Sequence, residues 1–259
     1  MKKVPAVLFA CCALRRAVKN NMPDNSHDGA LFLAITNKNI DAVAAELNAG
    51  ANVGALDKYG VPVFVRAVVR GNYDIVKLLL DKRADLSNTQ HQHDTVLMRA
   101  VQNGNYEIVK LLLDRGAEVN ALGPRGATAL IYSIGVGNGD VVRVLLDKGA
   151  NVNDADNNGN TALHIAAMRL NSDRTKLLLD YGADRLKRNN KGETPLMIAN
   201  DTNAYYQNVK KMLTDMLLNY RPMHPTQPPP ATAAAAAAGG SRKSRKSRKS
   251  RKSRKLSKV

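Results

Sequence analysis

The chain has 259 residues, 44% of them hydrophobic but only 4% aromatic, with no tryptophan and just two cysteines, the adjacent pair Cys11 and Cys12. Adjacent cysteines rarely bridge, so a disulfide-stapled scaffold is excluded and a reducing compartment indicated; so few aromatics suit small helices packed through Leu, Val and Ala better than a broad sheet core. The net charge of +17 is uneven: residues 28–220 hold 22 basic and 21 acidic side chains, whereas 241–259 hold 11 basic and none acidic, so a nearly neutral fold precedes a separate cationic segment.

Residues 1–27 admit two readings. Lys2 and Lys3 precede an apolar run from Val4 to Leu14, which resembles an export signal, and Leu8-Phe9-Ala10-Cys11 loosely resembles a bacterial lipoprotein cleavage site. Against this, Pro5 interrupts the run and Arg15-Arg16 follow at once. Val7, Ala10, Cys11, Leu14 and Val18 line one helical face, and Leu14 stands 33 residues ahead of Leu47. The segment reads better as a degenerate half-repeat that caps the rest of the fold, with export by an N-terminal signal as the other reading. No stretch reaches the ~20 apolar residues of a membrane span.

From about Asp28 a 33-residue period governs the chain. One slot holds Pro62-Val63-Phe64, Thr95-Val96-Leu97, Thr128-Ala129-Leu130, Thr161-Ala162-Leu163 and Thr194-Pro195-Leu196. Further along each unit come Tyr73-Asp74-Ile75-Val76-Lys77-Leu78-Leu79-Leu80, its near copy Tyr106 to Leu113, and then Gly-Ala closures such as Gly149-Ala150. The expected boundaries are about 28–57, 58–90, 91–123, 124–156, 157–189 and 190–220. A Thr at a helix start offers a hydroxyl to an orphan backbone N–H, a Pro one position later fits the first turn, and a closing Gly takes the left-handed conformation.

The period together with Thr161-Ala162-Leu163-His164-Ile165-Ala166 resembles the ankyrin repeat. The resemblance covers residues 28–220 and implies an all-α solenoid of six ankyrin repeats. Each is a helix–turn–helix with a β-hairpin loop, closed by degenerate N- and C-terminal caps and followed by a disordered basic tail. Departures from the pattern are expected to matter. Pro62 lacks the capping hydroxyl; Arg83 fills a closing Gly slot; Leu170 and Asn203 replace the mid-repeat Gly. Arg174 and Thr175 replace the apolar pair that opens a second helix, which predicts a weak point or bulge. The last helix, with Val209, Met212, Leu213, Met216 and Leu217 at helical spacing and Lys210, Lys211 and Asp215 opposite, reads as the C-terminal cap.

The residues offer no nucleophile–base constellation, so no enzyme, catalytic residue, cofactor or metal site is expected. Gly135, Gly137 and Gly139 lack the strand and Lys of a phosphate loop and read as a helix junction. His91 and His93 alone make a poor metal site. The resemblance implies instead a protein partner on the hairpin tips and the concave face of the first helices, bound by what is expected to be a monomer. Carried over slot by slot, this singles out Lys58, Tyr59, His91 and Arg125 at the tips. On the first helices it singles out Arg66, Arg70, Arg99, Gln102, Tyr132, Met168 and Arg169. Lys58, Arg66, Arg70, Arg99, Arg125 and Arg169 would make the groove mildly basic and suit an acidic or mixed partner surface.

After Tyr220 the composition changes. Residues 221–240, with Pro228-Pro229-Pro230 and Ala233 to Ala238, form a linker. Ser-Arg-Lys then repeats five times, so that Arg242, Lys243, Arg245, Lys246, Arg248, Lys249, Arg251, Lys252, Arg254 and Lys255 form a basic tail with no apolar residue before Leu256. It reads as a nuclear-import signal, as a phosphate-binding arm for nucleic acid, as an anchor for an anionic membrane surface, or as a solubilising extension. Phosphorylation of its serines would cancel most of the charge. The expected location is cytoplasm or nucleus, export aside. A chromatin-associated factor working through the tail, or an exported effector of an intracellular bacterium or virus, are the alternative roles.

Overall fold

A pair of start signals, repeated every 33 residues, sets the helices. The computed structural model describes residues 26–86, 94–201 and 207–220. Residues 1–25 of the cap expected over 1–27, the tip residues His91, Gln92 and His93, Asn203, the linker and the basic tail lie outside the described residues, while Ser26 and His27 open the first helix. Twelve helices occur among the described residues, in six successive pairs. They are α1 (Ser26–Thr36) and α2 (Ile40–Asn48), α3 (Val63–Arg70) and α4 (Tyr73–Asp81), α5 (Val96–Gln102) and α6 (Tyr106–Asp114). Then follow α7 (Ala129–Val136) and α8 (Gly139–Asp147), α9 (Ala162–Met168) and α10 (Ser172–Asp180), and α11 (Pro195–Asp201) and α12 (Gln207–Asn219).

First helices begin at the Thr slot. The hydroxyls of Thr95, Thr128, Thr161 and Thr194 accept from the backbone N–H three residues on, while Pro62 makes no side-chain cap. Second helices begin at asparagines that also recur every 33 residues, a signal the sequence reading passed over. Asn39, Asn72, Asn105, Asn138 and Asn171 each accept from a backbone N–H in the first turn at 3.0 to 3.2 Å. Such a cap contributes about 1 kcal/mol to its helix. Two of these asparagines also donate to the preceding pair, Asn105 to Gly71 O and Asn138 to Gly104 O.

The helices stack in two layers, first helix against first helix and second against second along the chain. Ile75, Val76, Leu79 and Leu80 of α4 turn one face inward, as do Ile108, Val109, Leu112 and Leu113 of α6, while Asp74, Lys77 and Glu107 face solvent. Leu31, Leu97, Leu130 and Leu163 fill the first-helix layer at 0–2% exposure. Each buried Leu contributes about 1.5–3 kcal/mol, obtained only because a neighbouring pair covers it. Polar contacts tie the outer edge of the second helices in the same period: Arg115 to Asp81 at 3.0 Å, Lys148 to Asp114 at 2.6 Å, and Tyr181 to Asp147.

Left-handed backbone at the mid-repeat and closing slots is kept whether or not glycine is present: Arg83 has φ 64° and Leu170 φ 52°. The hairpin loops pair sparingly: they contain no strand among the described residues, and two of them show single antiparallel bridges, Leu56 to Pro62 and Ala155 to Thr161. One residue per arm is left for pairing once the turn and the helix cap have taken the rest. Nor do Arg174 and Thr175 break the stack. Helix α10 is continuous through them, Thr175 is fully buried, and Arg174 donates to Ile134 O across the repeat boundary at 2.5 Å. In α12 the inward seam is Leu213 and Leu217, whereas Met212 is 46% exposed, with no further helix pair on that side among the described residues.

Candidate partner-binding face

The face formed by the hairpin tips and the ends of the first helices is built from backbone turns. Asp57 accepts from the N–H groups of Tyr59 and Val61 at 2.8 and 2.9 Å. Asp156 does the same for Asn158 and Asn160, and Asn189 for Lys191 and Glu193. One carboxylate or amide thus closes each of these three tips. Gly123 holds the equivalent slot in the fourth repeat, and there a short turn over Pro124–Gly126 takes over, with Arg125 left-handed at φ 60°.

Neighbouring tips are stitched together. Asn157 N donates to Arg125 O at 2.8 Å and Asn190 N to Asn158 O at 2.9 Å. The approach is close: a Cβ on Gly159 would meet Asn190 Oδ1 at 2.6 Å and Asn190 N at 2.7 Å. Behind the tips, His164 is fully buried. Its Nδ1 accepts from Thr161 N, so its Nε2–H donates to Glu193 O of the next repeat at 3.1 Å. Burial pushes the ring down from its ordinary pKa of 6.5, more than the hydrogen bonds raise it, and holds it neutral.

The singled-out residues divide into two groups. Arg66, Arg99 and Tyr132 share one slot, and all three turn back to the loop that precedes their own helix. Arg66 pairs with buried Asp57, Arg99 pairs with buried Asp94 at 3.0 Å, and the Tyr132 hydroxyl donates to Pro124 O at 3.4 Å. Burial alone would raise the Asp57 pKa, but hydrogen bonds from Val61, Arg66 and Tyr59 outweigh it and hold the carboxyl below 3.8. Gln102 lies 3.4 Å from Arg99. Two of the six groove cations are therefore neutralised inside the fold.

The other group faces outward. Tyr59 is 63% exposed with the Lys58 ammonium 5.1 Å from its ring centre, and Arg70, Arg125, Met168 and Arg169 are exposed. Asn158, Met168, Asn190, Lys191, Glu193 and Ile198 line an open depression of about 440 Å³ between the fifth and sixth units. The sequence reading missed Leu56 and Leu122, which stand 66 residues apart in one hairpin slot at 52% and 64% exposure. Leucines at a slot held elsewhere by the small Ala155 and the charged Arg188 were the available signal. Among the described residues no group of three or more His, Cys, Asp or Glu side chains is placed to hold a metal ion, and no helix is long and apolar enough to cross a membrane.

Family models for ankyrin repeats match this chain over residues 31–122 and 66–156 (three copies) and over 137–179 (many copies). The chain belongs to the ankyrin-repeat family. Ankyrin repeats generally mediate protein–protein interaction and are typically non-enzymatic scaffolds. A similar solved structure is a chain from the complex of a predatory endopeptidase from Bdellovibrio bacteriovorus with an immunity protein. It is 29% identical, with a TM-score of 0.65, and the match covers 72% of the present chain and 97% of that one. No curated protein matches the sequence.

Proposed function

We propose that this ankyrin protein is a non-enzymatic scaffold whose hairpin tips and first helices, the concave face of the family, dock a protein partner with an acidic or mixed surface. The observation that carries the reading is exposure. Tyr59, Val69, Leu122 and Met168 are each at least 49% exposed on that face, while the inward face of the same helices is sealed. Large apolar groups and arginines set beside polar tips are the ordinary makings of an interface. The similar chain comes from a protein–protein complex, which supports a macromolecular partner.

A photo-crosslinking side chain placed in turn at Tyr59, Met168 and Lys110 tests this in the full-length protein, Lys110 being exposed on α6 of the opposite layer. The same partner is expected from Tyr59 and Met168 and none from Lys110. Equal crosslinking from Lys110 overturns the assignment. Truncating Arg66 or Arg99 would instead unpair a buried carboxylate and confuse binding with unfolding.

A second reading assigns nucleic-acid affinity or nuclear targeting to residues 241–259, supported by their 11 basic and absent acidic side chains. Deleting 241–259 is then expected to abolish nucleic-acid binding and its steep salt dependence while the Met168 crosslink survives. Loss of both would place all partners on the tail.

A further inference from the structure

Arg169 and Arg174 flank the turn from α9 to α10, and both reach onto the preceding repeat. A Cβ at Gly135 would lie 3.4 Å from Arg169 Nη2, and one at Gly137 would lie 3.7 Å from Arg174 Nη2. Arg174 Nη1 holds the Ile134 carbonyl at 2.5 Å. Two guanidiniums therefore reach the strip 134–137, where Gly135 and Gly137 present no side chain. Gly135 sits inside α7 without a positive φ, so the backbone does not ask for glycine there. Its slot holds Val69, Gln102 and Met168 in other repeats, any of which would cover the guanidinium.

Neither arginine forms an ion pair among the described residues, in contrast to Arg66, Arg99 and Arg115. Asp173 beside Arg174 in sequence partly offsets the charge but makes no ion pair with it. Burial first, and then the Arg169 charge, push the Arg174 guanidinium down from its ordinary value, as two like charges held together should. Val136, between the two glycines in sequence, and Met168, next to Arg169, are 39% and 49% exposed, so the same two helices also present apolar side chains.

We infer that Arg169 and Arg174, over the bare strip at Gly135 and Gly137, clamp a side-chain carboxylate of a protein partner whose neighbouring residues are apolar. Guanidinium N–H groups match a carboxylate in plane and spacing, and an incoming carboxylate would relieve the repulsion between the two cations. Exposed apolar side chains on the same two helices suit an acid carried on a peptide rather than a free, strongly hydrated phosphate. The inference rests on the proposed docking face and adds to it the chemistry of the bound group.

A displayed library of random dodecapeptides, selected on the full-length chain, tests it. The expected binders carry Asp or Glu beside an aliphatic residue. Converting that acid to its amide should weaken binding to the native chain by about tenfold or more, and should change nothing on Arg169→Gln. Arg174→Gln should behave alike; if it melts early, Arg169→Gln alone decides. Acid and amide peptides binding equally, acid binders indifferent to Arg169→Gln, or displacement by millimolar inorganic phosphate would each overturn the clamp. Acid-free binders weakened by Met168→Asp would overturn the clamp and leave the docking face standing. Binders indifferent to Met168→Asp and Arg169→Gln alike, or no enriched peptide at all, would remove the docking face and the clamp with it.

Discussion

The second and third repeats use their first-helix arginines differently from the fifth. Arg66 and Arg99 lie against buried Asp57 and Asp94 and hold a hairpin to its helix. In the fifth repeat that slot is Ile165, and Arg169 and Arg174 carry no ion pair among the described residues. Arg66 and Arg169 looked equivalent as interface cations. What separates them is whether the loop supplies a carboxylate, and a slot-by-slot reading of one strand of sequence does not report that. A half-buried arginine with its own acid belongs to the fold; exposed Arg169, without one among the described residues, is left for a partner.

Substitutions can break this contrast. The largest effect is expected at Asp57→Ala, which strands the Arg66 guanidinium and two tip N–H groups and should cost about 2–4 kcal/mol by denaturant unfolding. If Asp57→Ala costs no more than a surface change, Arg66 is not a structural brace. Gly159→Ala comes next, at about 2 kcal/mol, from left-handed strain and collision with Asn190; an unchanged melting temperature would show that the tips are not stitched together.

The effect of pH is smaller. The His164 pKa is lower in the folded chain, so its contribution to stability is fully present above about 6.5, the ordinary value, and is lost as pH falls toward the folded value. The proton would occupy Nδ1, which accepts from Thr161 N. Melting temperatures of the native chain should fall between neutral and mildly acid pH, and His164→Gln should flatten that slope; parallel slopes would move the titration elsewhere. The smallest effect is expected at Arg169→Ala, within about 0.5 kcal/mol of native stability. A loss comparable to that of Asp57→Ala would make Arg169 another brace and erase the contrast.

Much of the repeat was legible in one dimension because its helix signals are local. Thr95, Thr128 and Thr161 cap the helices they precede, and Arg83 keeps the left-handed turn its slot demands. The asparagine caps at Asn72, Asn105 and Asn138 were equally local and were passed over, although their spacing is as regular. Arg174 looks like a defect in the sequence because its partner, the Ile134 carbonyl, lies 40 residues away. Leu56 and Leu122 stood in plain sight, but exposure is a property of neighbours.

The amino-acid sequence alone determined the period, the helix starts, the apolar seam and the isolation of positive charge in the last nineteen residues, since each follows from residue types within a turn or two of one another. Only the tertiary structure decided which cations are already paired, how closely the hairpin tips approach, and that two arginines each reach a glycine of the preceding repeat. Those are distances between units, and a repeating sequence leaves them open until stacking sets them.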